Sequence, residues 1–156
     1  MRKLISVCIS LLIVALVSSC NKEENIDRTP PEIDISTADA FPKPCSELNR
    51  GQTFIIKAQL SDNVELGSVG VDIHHNFDHH NHTTEEKSCS LSDKQAPSDK
   101  VFKFNKSISI AGLKFHKTAI EVPIPADSDP GEYHLTITVT DKAGWLTPKT
   151  LGIKLM

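Results

Sequence analysis

The chain is poor in the residues that most cofactor, nucleic-acid and catalytic sites use. Tryptophan and tyrosine occur once each, and aromatics make up 5% of the 156 residues. That leaves little to line a haem pocket, although paired imidazoles can ligate haem iron. The net charge is only −3 with histidines neutral, and no basic stripe is present, so nucleic acid is not an expected partner. There is no HExxH helix and no G-x-S-x-G elbow, hence no evident general base or serine nucleophile, and an enzyme is not expected. No apolar run beyond residue 17 is long enough to span a membrane. A sustained helical period is also missing.

The first residues read as an address. Arg2 and Lys3 precede an apolar stretch, Leu4 to Val17, too short for a stable membrane span. It closes on Val17-Ser18-Ser19-Cys20, which resembles the lipobox of bacterial lipoproteins. The resemblance implies cleavage before Cys20 and a lipid on that cysteine; an ordinary secretory leader is the competing reading. The expected organisation is a leader over 1–19, a lipidated cysteine and flexible tether over 20–29, and one domain over 30–156. Lys22-Glu23-Glu24 in the tether resembles the surface-export signal of Bacteroidota lipoproteins, so an outer-membrane lipoprotein facing either side is expected, with the lipid anchor in the membrane. The domain is large enough for one core and not two.

Two cysteines remain, Cys45 and Cys89. An exported compartment is oxidising, so a disulfide is expected, with a thiolate metal site as the alternative. No CxxC spacing supports that alternative.

The dominant period is two. Phe54, Ile56, Ala58 and Leu60 alternate with Thr53, Ile55, Lys57 and Gln59, Val69, Val71 and Ile73 with Gly70, Asp72 and His74, and Tyr133, Leu135, Ile137 and Val139 with His134, Thr136, Thr138 and Thr140. Each run reads as a half-buried antiparallel strand. Further strands are expected at 32–36, 101–110, 119–124 and 147–155, separated by turns such as Asp62-Asn63, Asp129-Pro130-Gly131 and Asp141-Lys142-Ala143-Gly144. The expected fold is all-β, an immunoglobulin-like β-sandwich of about seven antiparallel strands. Asp129-Pro130-Gly131-Glu132-Tyr133 looks like the tyrosine corner of such domains, although Leu135 stands where their cysteine would be. Trp145, after the next turn, is expected to pack on the rim rather than to be exposed.

Against this background one stretch stands out. Five of the seven histidines fall in His74-His75-Asn76-Phe77-Asp78-His79-His80-Asn81-His82. Val69, Val71 and Ile73 face the core, so Asp72 and His74 face outward; Tyr133 and Leu135 face the core, so His134 also faces outward. If strands 67–76 and 132–141 are antiparallel neighbours, His74 and His134 meet across them. Neutral imidazole is the commonest ligand for zinc, copper and nickel, completed by carboxylates. The candidate metal ligands are therefore His74, Asp78, His79, His80, His82 and His134. The ion expected is Zn²⁺ first, with Cu²⁺ or Ni²⁺ as alternatives.

Each candidate has a plainer reading. His75 has core parity, and Asp72 and Asp78 can be orienting or turn residues. His79, His80 and His82 can be a metal-scavenging tract. His116 belongs to the other sheet, near its opposite end, and should miss the cluster. Glu85 and Glu86 read as loop solubilisers, and Asp62, Asn63 and Asp141 as turn residues before they read as a Ca²⁺ site.

The same residues resemble a Bacteroidota lipoprotein family of unknown function with an HHxFDHH-type motif. The resemblance rests on His74, His75, Phe77, Asp78, His79 and His80, with "HKTAIEVPIP" around His116 and "PGEYHLTITVTDKAG" around His134. It implies a lipoprotein with an immunoglobulin-like domain, keeps His116 in play, and implies no activity. The expected function is metal binding at the cell envelope, supplying ions to an outer-membrane transporter or another envelope protein. The alternative is a structural or adhesive module with a structural metal or a pH-sensitive histidine patch.

Overall fold

A computed structural model describes residues 26–85 and 89–156. The leader, Cys20 and most of the tether lie outside the described residues, as does Glu86. The fold is all-β, with ten strands and no helix among the described residues. They are β1 (Glu32–Asp34), β2 (Ser46–Leu48), β3 (Thr53–Ile56), β4 (Gln59–Ser61), β5 (Leu66–His75), β6 (Phe104–Ser109), β7 (Phe115–Lys117), β8 (Ile120–Pro123), β9 (Gly131–Asp141) and β10 (Leu146–Leu155).

One layer is a five-stranded sheet in the order β2-β10-β9-β5-β6. The other is made of β1-β4-β7 and β3-β8. The architecture is that of a β-sandwich. Its long strands follow the alternation in the sequence. Val69, Val71 and Ile73 of β5, Leu135, Ile137 and Val139 of β9, and Leu151, Ile153 and Leu155 of β10 are all buried. They meet Phe54, Ile56, Leu60, Ile120 and Val122 from the second layer, in one continuous apolar cluster. Fully burying each such side chain is worth about 1.5–3 kcal/mol relative to exposure.

Three features depart from the sequence reading. The run from Thr53 to Ser61 is interrupted, with β3 pairing β8 and β4 pairing β1 and β7. Thr118 causes the break: its hydroxyl accepts from the Ala58 amide at 2.8 Å and lies 3.1 Å from the Ile56 carbonyl, replacing ladder bonds there. The pairing is also not wholly antiparallel, because the short strand β2 lies parallel to β10. Trp145 is 44% exposed instead of packed.

The turn before β9 is built as its sequence suggests. The Tyr133 hydroxyl donates to the Asp129 carbonyl at 2.8 Å and accepts from the Phe102 amide at 3.3 Å. Gly131 has φ of 129°, and a Cβ there would meet the Phe77 ring at 3.0 Å. Phe77 is seated in this notch, 1% exposed and edge-on to Tyr133 at 5.3 Å. It fixes the start of the segment that leaves β5.

Candidate metal centre

The register between β5 and β9 sets the site. His74 lies directly opposite His134, and Gly152 of β10 continues the same row. Both histidines occupy the outer face of the five-stranded sheet, yet His134 is fully buried. Strand parity alone sets it on the outer face, with the histidines of the following loop free to fold back over that end. Its cover is residues 76–85, which leave β5, turn at Phe77 and fold back over that face as a strap.

The strap is held at several points. The Asn76 amide donates to the Glu132 carbonyl at 2.8 Å, and the Thr150 amide donates to the Thr84 carbonyl at 3.0 Å. Glu85 forms a parallel bridge with Thr150. Beyond it, Cys89 is disulfide-bonded to Cys45 with a Cα–Cα distance of 5.5 Å. Gly152 makes room for this: a Cβ there would lie 2.9 Å from the Cys89 sulfur and 3.2 Å from Glu85.

The strap delivers His80 and His82 onto His74 and His134. One ring nitrogen from each of the four lies within 4.8 Å of the others. Every pair of rings has its centroids 4.6–5.7 Å apart. That spacing leaves room for a bare ion and none for haem.

Two carboxylates orient the rings. His74 Nδ1 is 2.6 Å from Asp72 Oδ1, and His80 Nδ1 is 2.6 Å from Asp78 Oδ1. A carboxylate can only accept, so each Nδ1 donates, and in the neutral ring it is then Nε2 that offers a lone pair. Those lone pairs converge: His80 Nε2 is 3.4 Å from His74 Nε2, which is 3.2 Å from His82 Nε2. Four nitrogens on a tetrahedral zinc ion at 2.0–2.1 Å stand about 3.3–3.4 Å apart. Two of the six nitrogen pairs therefore already stand close to the spacing around that ion.

His134 completes it from beneath. Both of its ring nitrogens are buried without a hydrogen-bond partner, a state that costs about 1–3 kcal/mol for each unsatisfied polar atom. Burial, followed by the neighbouring His82, His80 and His74, pushes its pKa down to about 4. His82 is shifted in the same direction, by burial and then by His74 and His80. Burial thus favours the neutral form of His134 and His82, the form a metal ligand needs. The hydrogen bond from His80 keeps Asp78 below the usual carboxylate range, charged and acceptor-only. These four histidines could hold a metal ion.

The remaining candidates fall elsewhere. His79 turns with φ of 60° and is not among the four converging rings. Asp72 and Asp78 act on histidines instead of joining the cluster. His75 sits in the core-parity row with Tyr133, its ring 4.9 Å from Phe77. His116 is on β7, opposite Leu60 in the second layer.

Glu85, read as a solubiliser, is only 17% exposed at its side chain, with Oε2 3.7 Å from His134 Nε2. A repeated spacing marks the orienting pairs in the sequence, Asp72-x-His74 and Asp78-x-His80. On a strand, residues two apart share a face, so the first of these pairs was readable in advance.

Fold and site define an all-β domain that carries a four-histidine cluster on one sheet face under a strap. The chain belongs to the family described as a domain of unknown function, DUF4625, which it matches over residues 18–156. No functionally curated protein matches it.

Proposed function

We propose that the protein is a transition-metal-binding lipoprotein of the bacterial cell envelope. It holds Zn²⁺ in preference to Cu²⁺ or Ni²⁺ and passes it to an outer-membrane transporter or another envelope protein. The observation that carries the metal reading is His134, buried with neither ring nitrogen satisfied, amid three further imidazoles. Zinc is favoured by spacing. A square-planar Cu²⁺ or Ni²⁺ set at about 2.0 Å would put adjacent nitrogens about 2.8 Å apart and opposite ones about 4.0 Å apart, away from the 3.2 and 3.4 Å found.

Exchange is favoured by access, since the His74 and His80 side chains are 31% and 36% exposed. It is also favoured by the strap's other fastenings, which do not need the ion. Catalysis is disfavoured because four protein nitrogens fill a tetrahedral shell and leave no position for an activated water. The envelope location rests on the lipobox-like Val17-Ser18-Ser19-Cys20.

A second reading, a structural ion that pins the strap, is favoured by the two ligands the strap itself supplies. One experiment separates the two. The full chain in detergent is titrated with Zn²⁺ against a chromophoric chelator, beside His74→Ala, His134→Ala and His116→Ala, and its melting is followed after stripping. The proposal expects one Zn²⁺ per chain, lost in the first two variants, kept in the third, and a stripped fold that still melts cooperatively. Absence of stoichiometric binding, or equal binding by all variants, would overturn the metal reading. Loss of the fold on stripping would favour the structural ion.

A further inference from the structure

At the other end of the same sheet a second set of ligand atoms converges, all of them oxygen. Leu66 at the start of β5 pairs with Asp141 at the end of β9, while His74 near the end of β5 pairs with His134. Eight residues of strand separate the two rows, about 26 Å. Around Asp141 lie Asp62, from the turn between β4 and β5, and Asp27, from the segment before β1. One carboxylate oxygen from each lies within 4.8 Å of the others.

Two of these carboxylates are divided in their work. Asp62 Oδ1 accepts from the amides of Val64 and Glu65 at 2.8 and 2.7 Å, which builds its turn. Asp141 Oδ1 accepts from the Trp145 amide at 2.8 Å. The second oxygen of each, Oδ2, is buried and has no partner. Asp141 is only 4% exposed. Turn formation therefore accounts for one oxygen and leaves the other unexplained, at the cost of burying an unsatisfied charged group.

No lysine or arginine among the described residues pairs with any of the three. The cations nearby are engaged elsewhere: Lys142 Nζ is 2.7 Å from Glu65 Oε2, and Lys114 Nζ donates to the Asn63 carbonyl at 2.8 Å. Asp27 is fixed by donors to its Oδ1, the Thr29 amide and the Asn63 side-chain amide, both at 3.1 Å.

We propose that Asp27, Asp62 and Asp141 form a Ca²⁺ site. Oxygen-only carboxylate ligands suit a hard cation and not the nitrogen-seeking metals of the histidine end. Ca–O bonds of 2.3–2.6 Å let two ligands of one ion stand up to about 5 Å apart, which covers the observed spread. Mg²⁺ keeps several waters and uses one or two carboxylates, a poorer match to three fixed by separate turns. The remaining coordination positions would be filled by water or backbone carbonyls. The ion would tie the segment ahead of β1 to the two loops at this end and so fix how the domain leaves its N-terminal extension. Affinity in the range of extracellular modules, about 10⁻⁴–10⁻³ M, is expected.

The protein carries its own reporter. Its single tryptophan, Trp145, donates through its amide to Asp141 and through Nε1 to the Asp27 carbonyl at 3.0 Å. The test is a CaCl₂ titration of the full chain in detergent, read by Trp145 emission and reversed with EGTA, with MgCl₂ in parallel. Asp27→Asn and Asp62→Asn are compared with wild type, and His74→Ala serves as a control for the other end. The proposal expects a saturable change with Ca²⁺, weakened at least tenfold by either aspartate variant and unchanged by His74→Ala. No saturable change up to 10 mM, an equal response to Mg²⁺, or an unaltered response in both aspartate variants would overturn it. Asp27→Asn removes a half-buried group outside the strands, so loss of folding does not cloud that arm.

Discussion

The two ends of β5 gather ligands by opposite routes. At the His74 end the donors are nitrogen, and two of the four come from one short strap folded over the sheet. At the Leu66 end the donors are oxygen, and each comes from a different turn or terminal segment. The first end is clamped by a disulfide and by backbone bonds to Thr150. The second has no disulfide and is held by backbone bonds such as Lys142 amide to Glu65 carbonyl, 2.9 Å, and by the side-chain bonds of its turns. The difference teaches where specificity comes from. The histidine cage is sized by packing, with rings pressed together and oriented by carboxylates, and on the proposed reading would select a small ion. The aspartate set is sized by turn geometry and, as proposed, would take a larger one.

Cutting the clamp should distinguish the ends most sharply. Cys45→Ala with Cys89→Ala is expected to cost roughly 4 kcal/mol of stability by the loop-entropy argument. In chemical denaturation the variant should unfold at a clearly lower midpoint. In the folded variant Zn²⁺ binding should weaken while the response of Trp145 to Ca²⁺ persists. If both responses fell together, the ends would not be independent.

Removing one ligand comes next. Zinc binding worth on the order of 10 kcal/mol is shared by four imidazoles, so His82→Ala should lower affinity by at least about a hundredfold, roughly 3 kcal/mol. Competition titration measures it, and the same loss in His79→Ala would show that the strap is placed differently.

A comparable effect should appear with pH in the stripped protein. The folded pKa of His134 is pushed down to about 4, below its unfolded value of about 6.5. Between those values the unfolded chain binds the extra proton, so stability is full above about pH 6.5 and is lost as pH falls toward 4, by on the order of 3 kcal/mol. Melting of the stripped chain from pH 7.5 to 4.5 should reveal the fall, and His134→Gln should flatten it. Zn²⁺ affinity should fall over the same range, because protons compete for the ligands.

The smallest expected effect belongs to the orienting carboxylates. Asp72→Asn should lose the charged partner of His74 Nδ1 and weaken Zn²⁺ binding about 10–100-fold. Asp78, more exposed at 68% than Asp72 at 45%, should fall at the lower end of that range. An unchanged affinity in both would mean that the rings orient themselves.

How much of this could be read beforehand follows from where the information lies. The long strands were legible because Val69-Val71-Ile73 and Tyr133-Leu135-Ile137-Val139 alternate without interruption. The meeting of His74 with His134 followed from the parity of those strands. The burial of His134 did not, because it depends on the path of residues 76–85, which no local period encodes. β2 is three residues long and owes its existence to β10 and to the disulfide beside it, so it left no signal. The break between β3 and β4 is made by Thr118, sixty residues away. Asp27 was hidden for the same reason, since nothing near it in the chain announces Asp62 or Asp141.

The most direct test of the four-histidine cage is zinc K-edge X-ray absorption on the full chain loaded with one Zn²⁺. The account predicts four nitrogen scatterers at about 2.0 Å with the multiple-scattering pattern of imidazole and no sulfur. A shell with sulfur, or one of two imidazoles completed by oxygens, would contradict it.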